Sequence, residues 1–229
     1  MTIHYHGTPI TPNEVLLSIA GRNFCVSHAR PDQIKTIHAI GQSVMLDNGA
    51  FSKHTTGRET NWEAYYSWCD QWLDYQTTWA VIPDVIDAGS QEQDALIREW
   101  PHGERGAPVW HTGEPISRLV ALCDAWPRVC VGSTDEHWQV LGPAWRRRMD
   151  EAFNELAVRH RRMPWLHMLR GMQLALHHYP FASLDSTDIA RNHHLLHNSA
   201  KAMADRWDAA QCPPKWEIKS QQQDLYGGD

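Results

Sequence analysis

An α/β fold, and within it a single compact (β/α)8 barrel of the TIM type, is what this sequence predicts, on three observations. Short apolar runs alternate with longer amphipathic stretches about seven times along the chain, a rhythm that calls for parallel strands joined by crossover helices. No glycine-rich GxGxxG turn is present, which removes the usual mark of an open dinucleotide-binding sheet. A polar residue closes nearly every apolar run: Asp47, Asp84, His111, Gly132-Ser133, Arg170 and Asp185. In a closed barrel such positions converge on the C-terminal mouth, where barrel enzymes keep their chemistry.

Taken in order, the expected strands are residues 24–28, 43–47, 78–83, 108–111, 128–132, 166–169 and 181–185, with an eighth placed at 15–20. Each is about five residues long and rich in Val, Ile, Leu, Trp or Cys, as strands buried on both faces tend to be. Between them, 31–40, 61–75, 90–100, 115–126 and 138–161 carry helical periodicity, several of them opening on a capping residue or a proline. Pro127, Pro164 and Pro180 stop helices where the chain must return to a strand. Residues 1–212 are expected to form the barrel, and 213–229, with Gln221-Gln222-Gln223 and Gly227-Gly228, a loosely held tail.

Composition agrees with one well-filled domain: 229 residues, 42% apolar and 21% charged. No run approaches the roughly 18 apolar residues of a membrane span, and the opening Met-Thr-Ile-His-Tyr-His does not resemble a signal peptide. Five cysteines without a CxxC pair fit free thiols, so a cytoplasmic protein without membrane contact is expected. Fifteen histidines are scattered without HExxH or zinc spacing; neither metal nor cofactor is expected. Of the twelve tryptophans, Trp62, Trp68, Trp72 and Trp79 read as packing between helices and barrel.

The net charge of −6 is unevenly placed. Residues 1–143 hold 9 Lys/Arg against 17 Asp/Glu, whereas 144–229 hold 12 against 10. Arg146, Arg147 and Arg148, with Arg159, Arg161 and Arg162, make a local basic segment. It reads either as a track for a phosphate backbone or as a solvated helix face.

Asp47, Asp84 and Asp185 dominate the chemistry. One carboxylate after an apolar strand can be a helix cap; three at one mouth suit glycosyl transfer. There, one carboxylate attacks the anomeric carbon and another moves the leaving group's proton. Asp87 and Asp188 read as caps or solvated loop residues, and Glu114 as either a helix cap or an acid/base partner of His111.

In chain order, Leu-Asp-Asn-Gly-Ala-Phe-Ser, Ile-Pro-Asp-Val-Ile-Asp, Val-Gly-Ser and Leu-Asp-Ser-Thr-Asp resemble the tRNA-guanine transglycosylase superfamily. The likeness runs over residues 24–192 and is strongest to the short queuine tRNA-ribosyltransferase-like branch, which includes enzymes that place 7-deazaguanines in DNA. The resemblance implies Asp185 as the nucleophile at C1′ and Asp47, within Asp47-Asn48-Gly49-Ala50-Phe51, as the group handling the base proton. It implies Asp84, Asn48, Phe51, His111, Gly132 and Ser133 around the guanine or 7-deazaguanine base. His167, Arg170 and Arg191 would serve the sugar-phosphate, and Arg146, Arg147 and Arg148 the nucleic-acid backbone.

Two departures bear on the substrate. The family's zinc site of three cysteines and a histidine is missing, since Cys212 stands alone, and the chain is short. Both favour DNA over tRNA, or a smaller nucleoside. The family often works in pairs, so a homodimer is possible. An N-glycoside hydrolase using the same carboxylates and a non-catalytic nucleic-acid binder are the rival readings.

Overall fold

The computed structural model describes residues 1–56, 61–86 and 88–219; Asp87 and the Gln221-Gln222-Gln223 run lie outside them. Nine strands form one all-parallel sheet: β1 (Ile3–Gly7), β2 (Asn23–Ser27), β3 (Ser43–Asp47), β4 (Thr78–Val81), β5 (Gly106–Ala107), β6 (Val109–His111), β7 (Val129–Gly132), β8 (Leu166–Met168) and β9 (Ser183–Ser186). Their order is β5-β4-β3-β2-β1-β9-β8-β7-β6. The two outermost strands are neighbours in the chain, separated by Pro108 alone. Proline has no N–H to give a ladder, but its carbonyl accepts from Cys130 N at 2.8 Å. Here the chain hands its pairing from β4 to β7, and the sheet curls into a nearly closed barrel.

The helices lie outside it: α1 (Asn13–Leu17), α2 (Ile34–Ile40), α3 (Ala50–Thr56), α4 (Trp62–Asp70), α5 (Ser90–Glu99), α6 (Ile116–Ala125), α7 (Pro143–Arg159), α8 (Asp188–Asn192) and α9 (Ala200–Ala209). α4 starts where Asn61 accepts from Ala64 N at 2.9 Å, and α9 where Ser199 accepts from Ala202 N at 3.2 Å, both side-chain caps. α7 opens on Pro143, which has no N–H to leave unpaired in a first turn.

The expected strand at 15–20 is corrected: residues 13–17 are helical, with Leu16 and Ile19 buried at a three-residue spacing. The missing strand is β1, hidden by its histidines. Because side chains alternate along a strand, Tyr5 enters the barrel while His4 and His6 face out. Both are nevertheless 1% exposed, lying 3.8 and 3.7 Å from Asp208, which Arg22 also grips.

Alternation also divides the core in three. Inside the barrel sit Tyr5, Cys25, Met45, Trp79, Val81, Ala107, Val109 and Cys130. Outside, one shell packs α1, α2, α4 and α9 on the first strands, and a second packs α6 and α7 on the later ones. The tryptophans behave as packing residues: Trp68 and Trp72 join the first shell and Trp79 fills the barrel. Of the expected tail, residues 213–219 are held against α7, by Trp216 on Asn154 at 2.8 Å and Lys219 on Asp150 at 2.8 Å; residues 220–229 lie outside the described residues. No helix among the described residues is long and apolar enough to cross a membrane.

Candidate active site at the barrel mouth

The last inward-facing positions of the strands turn from apolar to polar, so the barrel closes with a ring of hydrogen-bonding groups. Ser27 ends β2, Asp47 ends β3, His111 ends β6 and Asp185 sits one residue from the end of β9. Register fixes their heights: Ser27 pairs with Asp47, and Tyr5 with Asp185.

Asp185 is 7% exposed, and its Oδ1 accepts from Arg170 N at 2.7 Å and lies 3.2 Å from His167 Nε2. Ser183 Oγ accepts from Trp165 Nε1 at 3.1 Å and lies 2.9 Å from His167 Nδ1. An ionised carboxylate only accepts, so His167 faces ionised Asp185 with an N–H on Nε2. Arg170 takes φ 57°, a left-handed conformation costing a non-glycine residue roughly 1–2 kcal/mol. That turn aims its N–H at the carboxylate and lays its guanidinium 3.8 Å from the ring centroid of Phe51. Oδ2 of Asp185 keeps no hydrogen bond to the described residues.

Asp84 and its neighbours form a second network. Oδ1 of Asp84 accepts from Asn48 Nδ2 at 2.7 Å, and Oδ2 lies 2.9 Å from His111 Nε2. Asn48 also donates to Ile82 O at 2.9 Å and accepts from Ala50 N at 2.8 Å, so it stitches β3 to β4. Its buried bonds have no water to replace them. Asn48→Ala should lower stability by about 1–3 kcal/mol, measurable as a smaller urea midpoint; an unchanged midpoint would remove Asn48 from this structural role. Gly132 supports the same network by absence: a Cβ there would stand 3.0 Å from His111 Cδ2, too close for the ring to keep its place.

Asp47 differs from the other two. Burial raises its carboxyl to about 6, the charges of Asp185 and Asp84 push the same way, and bonds from Ser27 and from Gly49 N oppose them. Gly49 reaches Asp47 Oδ2 at 3.2 Å from a φ of 77°, a turn natural to glycine. The mouth thus contains one oriented carboxylate and one carboxyl poised to gain or lose a proton near neutrality. Arg170 lies within electrostatic reach of all three aspartates.

Of the residues singled out in the sequence, Asp47, Asn48, Phe51, Asp84, His111, Gly132, His167, Arg170 and Asp185 thus cluster at the mouth. Ser133 does not join them, because its hydroxyl accepts from Trp145 Nε1 at 3.0 Å on α7. Arg191 is exposed on the last turn of α8. Arg146 donates to Leu141 O at 2.7 Å, and Arg148 to Thr112 O at 2.9 Å and to Glu114 O. Only Arg147 of the three projects from α7 as an exposed cation. Glu114 is a local clamp, accepting from His111 N at 2.9 Å and from Arg118 at 3.0 Å.

Two contributors escaped the sequence reading. Ser27 fell inside the expected strand 24–28 with nothing to mark it. Gln93, 2% exposed on α5, brackets Val85 N and O and lies 3.4 Å from His111 Nδ1. It occupies an apolar slot in the Gln93-Leu96-Ile97-Trp100 spacing, and that polar intrusion was its signal. Among the described residues no group of three or more His, Cys, Asp or Glu is arranged to hold a metal. Comparison with protein-family models, with curated proteins and with solved structures gave no match.

Proposed function

We propose that this chain is a base-exchange transglycosylase acting at the N-glycosidic bond of guanine, on a (β/α)8 barrel in which residues 106–111 count as one strand interrupted at Pro108. The observation that carries the reading is the pairing at one mouth of a hydrogen-bonded Asp185 with an Asp47 whose carboxyl lies near 6. The motif order over residues 24–192, with its likeness to the transglycosylase superfamily, supplies the substrate class.

In the first displacement Asp185 Oδ2 attacks C1′, the C1′–N9 bond breaks, and its electron pair leaves with guanine as Asp47 delivers a proton to the base. In the second, ionised Asp47 takes a proton from N9 of an incoming 7-deazaguanine, that nitrogen attacks C1′, and the bond to Asp185 breaks. Two displacements retain the sugar configuration. Asp84, braced by Asn48 and His111, addresses the base edge, and Phe51 with Arg170 forms the rim beside it. Three clustered carboxylates would repel phosphates in a pure binder, which favours catalysis.

DNA is the preferred polymer, with the target base taken single-stranded or drawn from the stack; Arg147 and Arg191, which follow strand C-termini, are exposed cations for its backbone, whereas Arg161 and Arg162 lie at the opposite end of the barrel. A free nucleoside is the second reading, favoured by the engagement of Arg146 and Arg148 within the protein. The test is exchange of labelled guanine in DNA, in bulk tRNA and in deoxyguanosine, each with a pool of 7-deazaguanines. Label release with incorporation into one of them identifies the substrate. Release without incorporation would replace transfer by hydrolysis, and no release from any would overturn the proposal.

A further inference from the structure

The opposite end of the barrel carries a polar cavity that the proposed chemistry does not use. It encloses about 470 Å³ below the N-terminal ends of the strands, with Tyr5, Thr78, Trp79, Arg105, Arg128 and Trp165 among its walls. This is within the range of small-molecule pockets. Arg128, just before β7, lies with its guanidinium carbon 4.6 Å from the Trp79 ring centroid and 4.8 Å from that of Trp165. The two indoles fix the orientation of the fork and strip it of water.

What Arg128 lacks is a partner. Among the described residues no carboxylate pairs with it and no carbonyl accepts from it, and its Nε is buried without a hydrogen bond. Burial lowers its pKa and Arg105 adds to that effect, although Tyr5 and Cys130 oppose it. A guanidinium kept only as a staple would be expected to find an acceptor, because each unpaired buried donor costs free energy. Thr78 Oγ1, at the same cavity, is likewise buried and unbonded. Arg105 stands beside it, its Nη1 donating to Tyr75 O, Gln76 O and Thr78 O at 3.1–3.3 Å. Glu104 is the one acid among the lining residues and is exposed at the rim.

From this arrangement we infer that the N-terminal face of the barrel binds a small organic oxyanion, a carboxylate or a phosphate ester. The fork of Arg128 grips it, Arg105 adds positive charge and the two indoles form walls for its apolar body. The inference is independent of the reaction proposed at the mouth.

Benzoate and phenyl phosphate are the probes, titrated into the intact protein at constant ionic strength. Calorimetry measures affinity, and the Arg128 Nε–H resonance, assigned by its loss in Arg128→Lys, reports the site in unaltered protein. Saturable binding that shifts this resonance is expected, weakened on the order of tenfold in Arg128→Lys, which keeps the charge but not the fork. Benzoate binding alone would identify a carboxylate site, phenyl phosphate alone a phosphate site, and both an oxyanion site indifferent to the head group. A resonance that neither probe moves at about 20 mM, far above the Kd of any useful small-ligand site, would overturn the inference. So would equal affinity in the Lys variant.

Discussion

Asp185→Asn is expected to abolish glycosyl transfer, lowering kcat/KM by roughly 10³-fold or more, while leaving the fold in place. The amide has the same shape, and its oxygen can still accept from Arg170 N and His167, so the network on Oδ1 survives. It loses the anionic Oδ2 that would bond to C1′. On the proposed mechanism, intact-protein mass spectrometry after mixing with substrate should find a glycosyl adduct in the parent protein and none in the variant. Exchange at the parental rate in Asp185→Asn would sink the nucleophile assignment.

Asp47→Asn has the second large effect, and it falls on stability as well as on activity. The Asp47 carboxyl is raised to about 6 from an ordinary value of 3.8, so the folded protein favours its protonated form. That preference stabilises fully below about pH 4 and is lost as pH rises through about 6. Above that, the fold holds a buried charge near Asp185 and Asp84. Removing the titration should therefore leave stability nearly unchanged at pH 4 and raise it by about 2 kcal/mol at pH 8, the shift of some two units being discounted for partial exposure. Urea melts of both proteins across this range check the sign; a gain that is constant with pH would mean that Asp47 is not the titrating group. Activity should move the opposite way, because the amide can neither give nor take the base proton.

The barrel was legible because buried parallel strands must be short, apolar and bounded, and Ser43–Asp47 shows all three marks. Its strand-end aspartates were legible for the same reason: a carboxylate after an apolar run stands out. β1 was not, since His4 and His6 are polar letters on a strand whose outer face is itself covered by Asp208 and Arg22. The basic segment was legible only in part. Sequence spacing shows that Arg146 and Arg148 are charged, but not that main-chain carbonyls of the preceding loops have already claimed them. Ser27 was missed because only the register of β2 on β3 sets it beside Asp47, and Gln93 because its polar letter in an apolar slot does not say which strand end it meets.

The pairing of β1 with β9 has a consequence for how the protein comes into being. Every other ladder joins strands that follow one another in the chain, so a nascent polypeptide can add them one at a time as it leaves the ribosome. β1 must wait, one edge unpaired, for a strand roughly 180 residues downstream, as the Ile3 to Ser183 register shows. That last docking sets Tyr5 opposite Asp185. Until it occurs, Asp47 and Asp84 can be in place on β3 and after β4 without Asp185 beside them. In a partly synthesised chain the mouth is thus incomplete, and its three carboxylates come together only when β9 docks on β1.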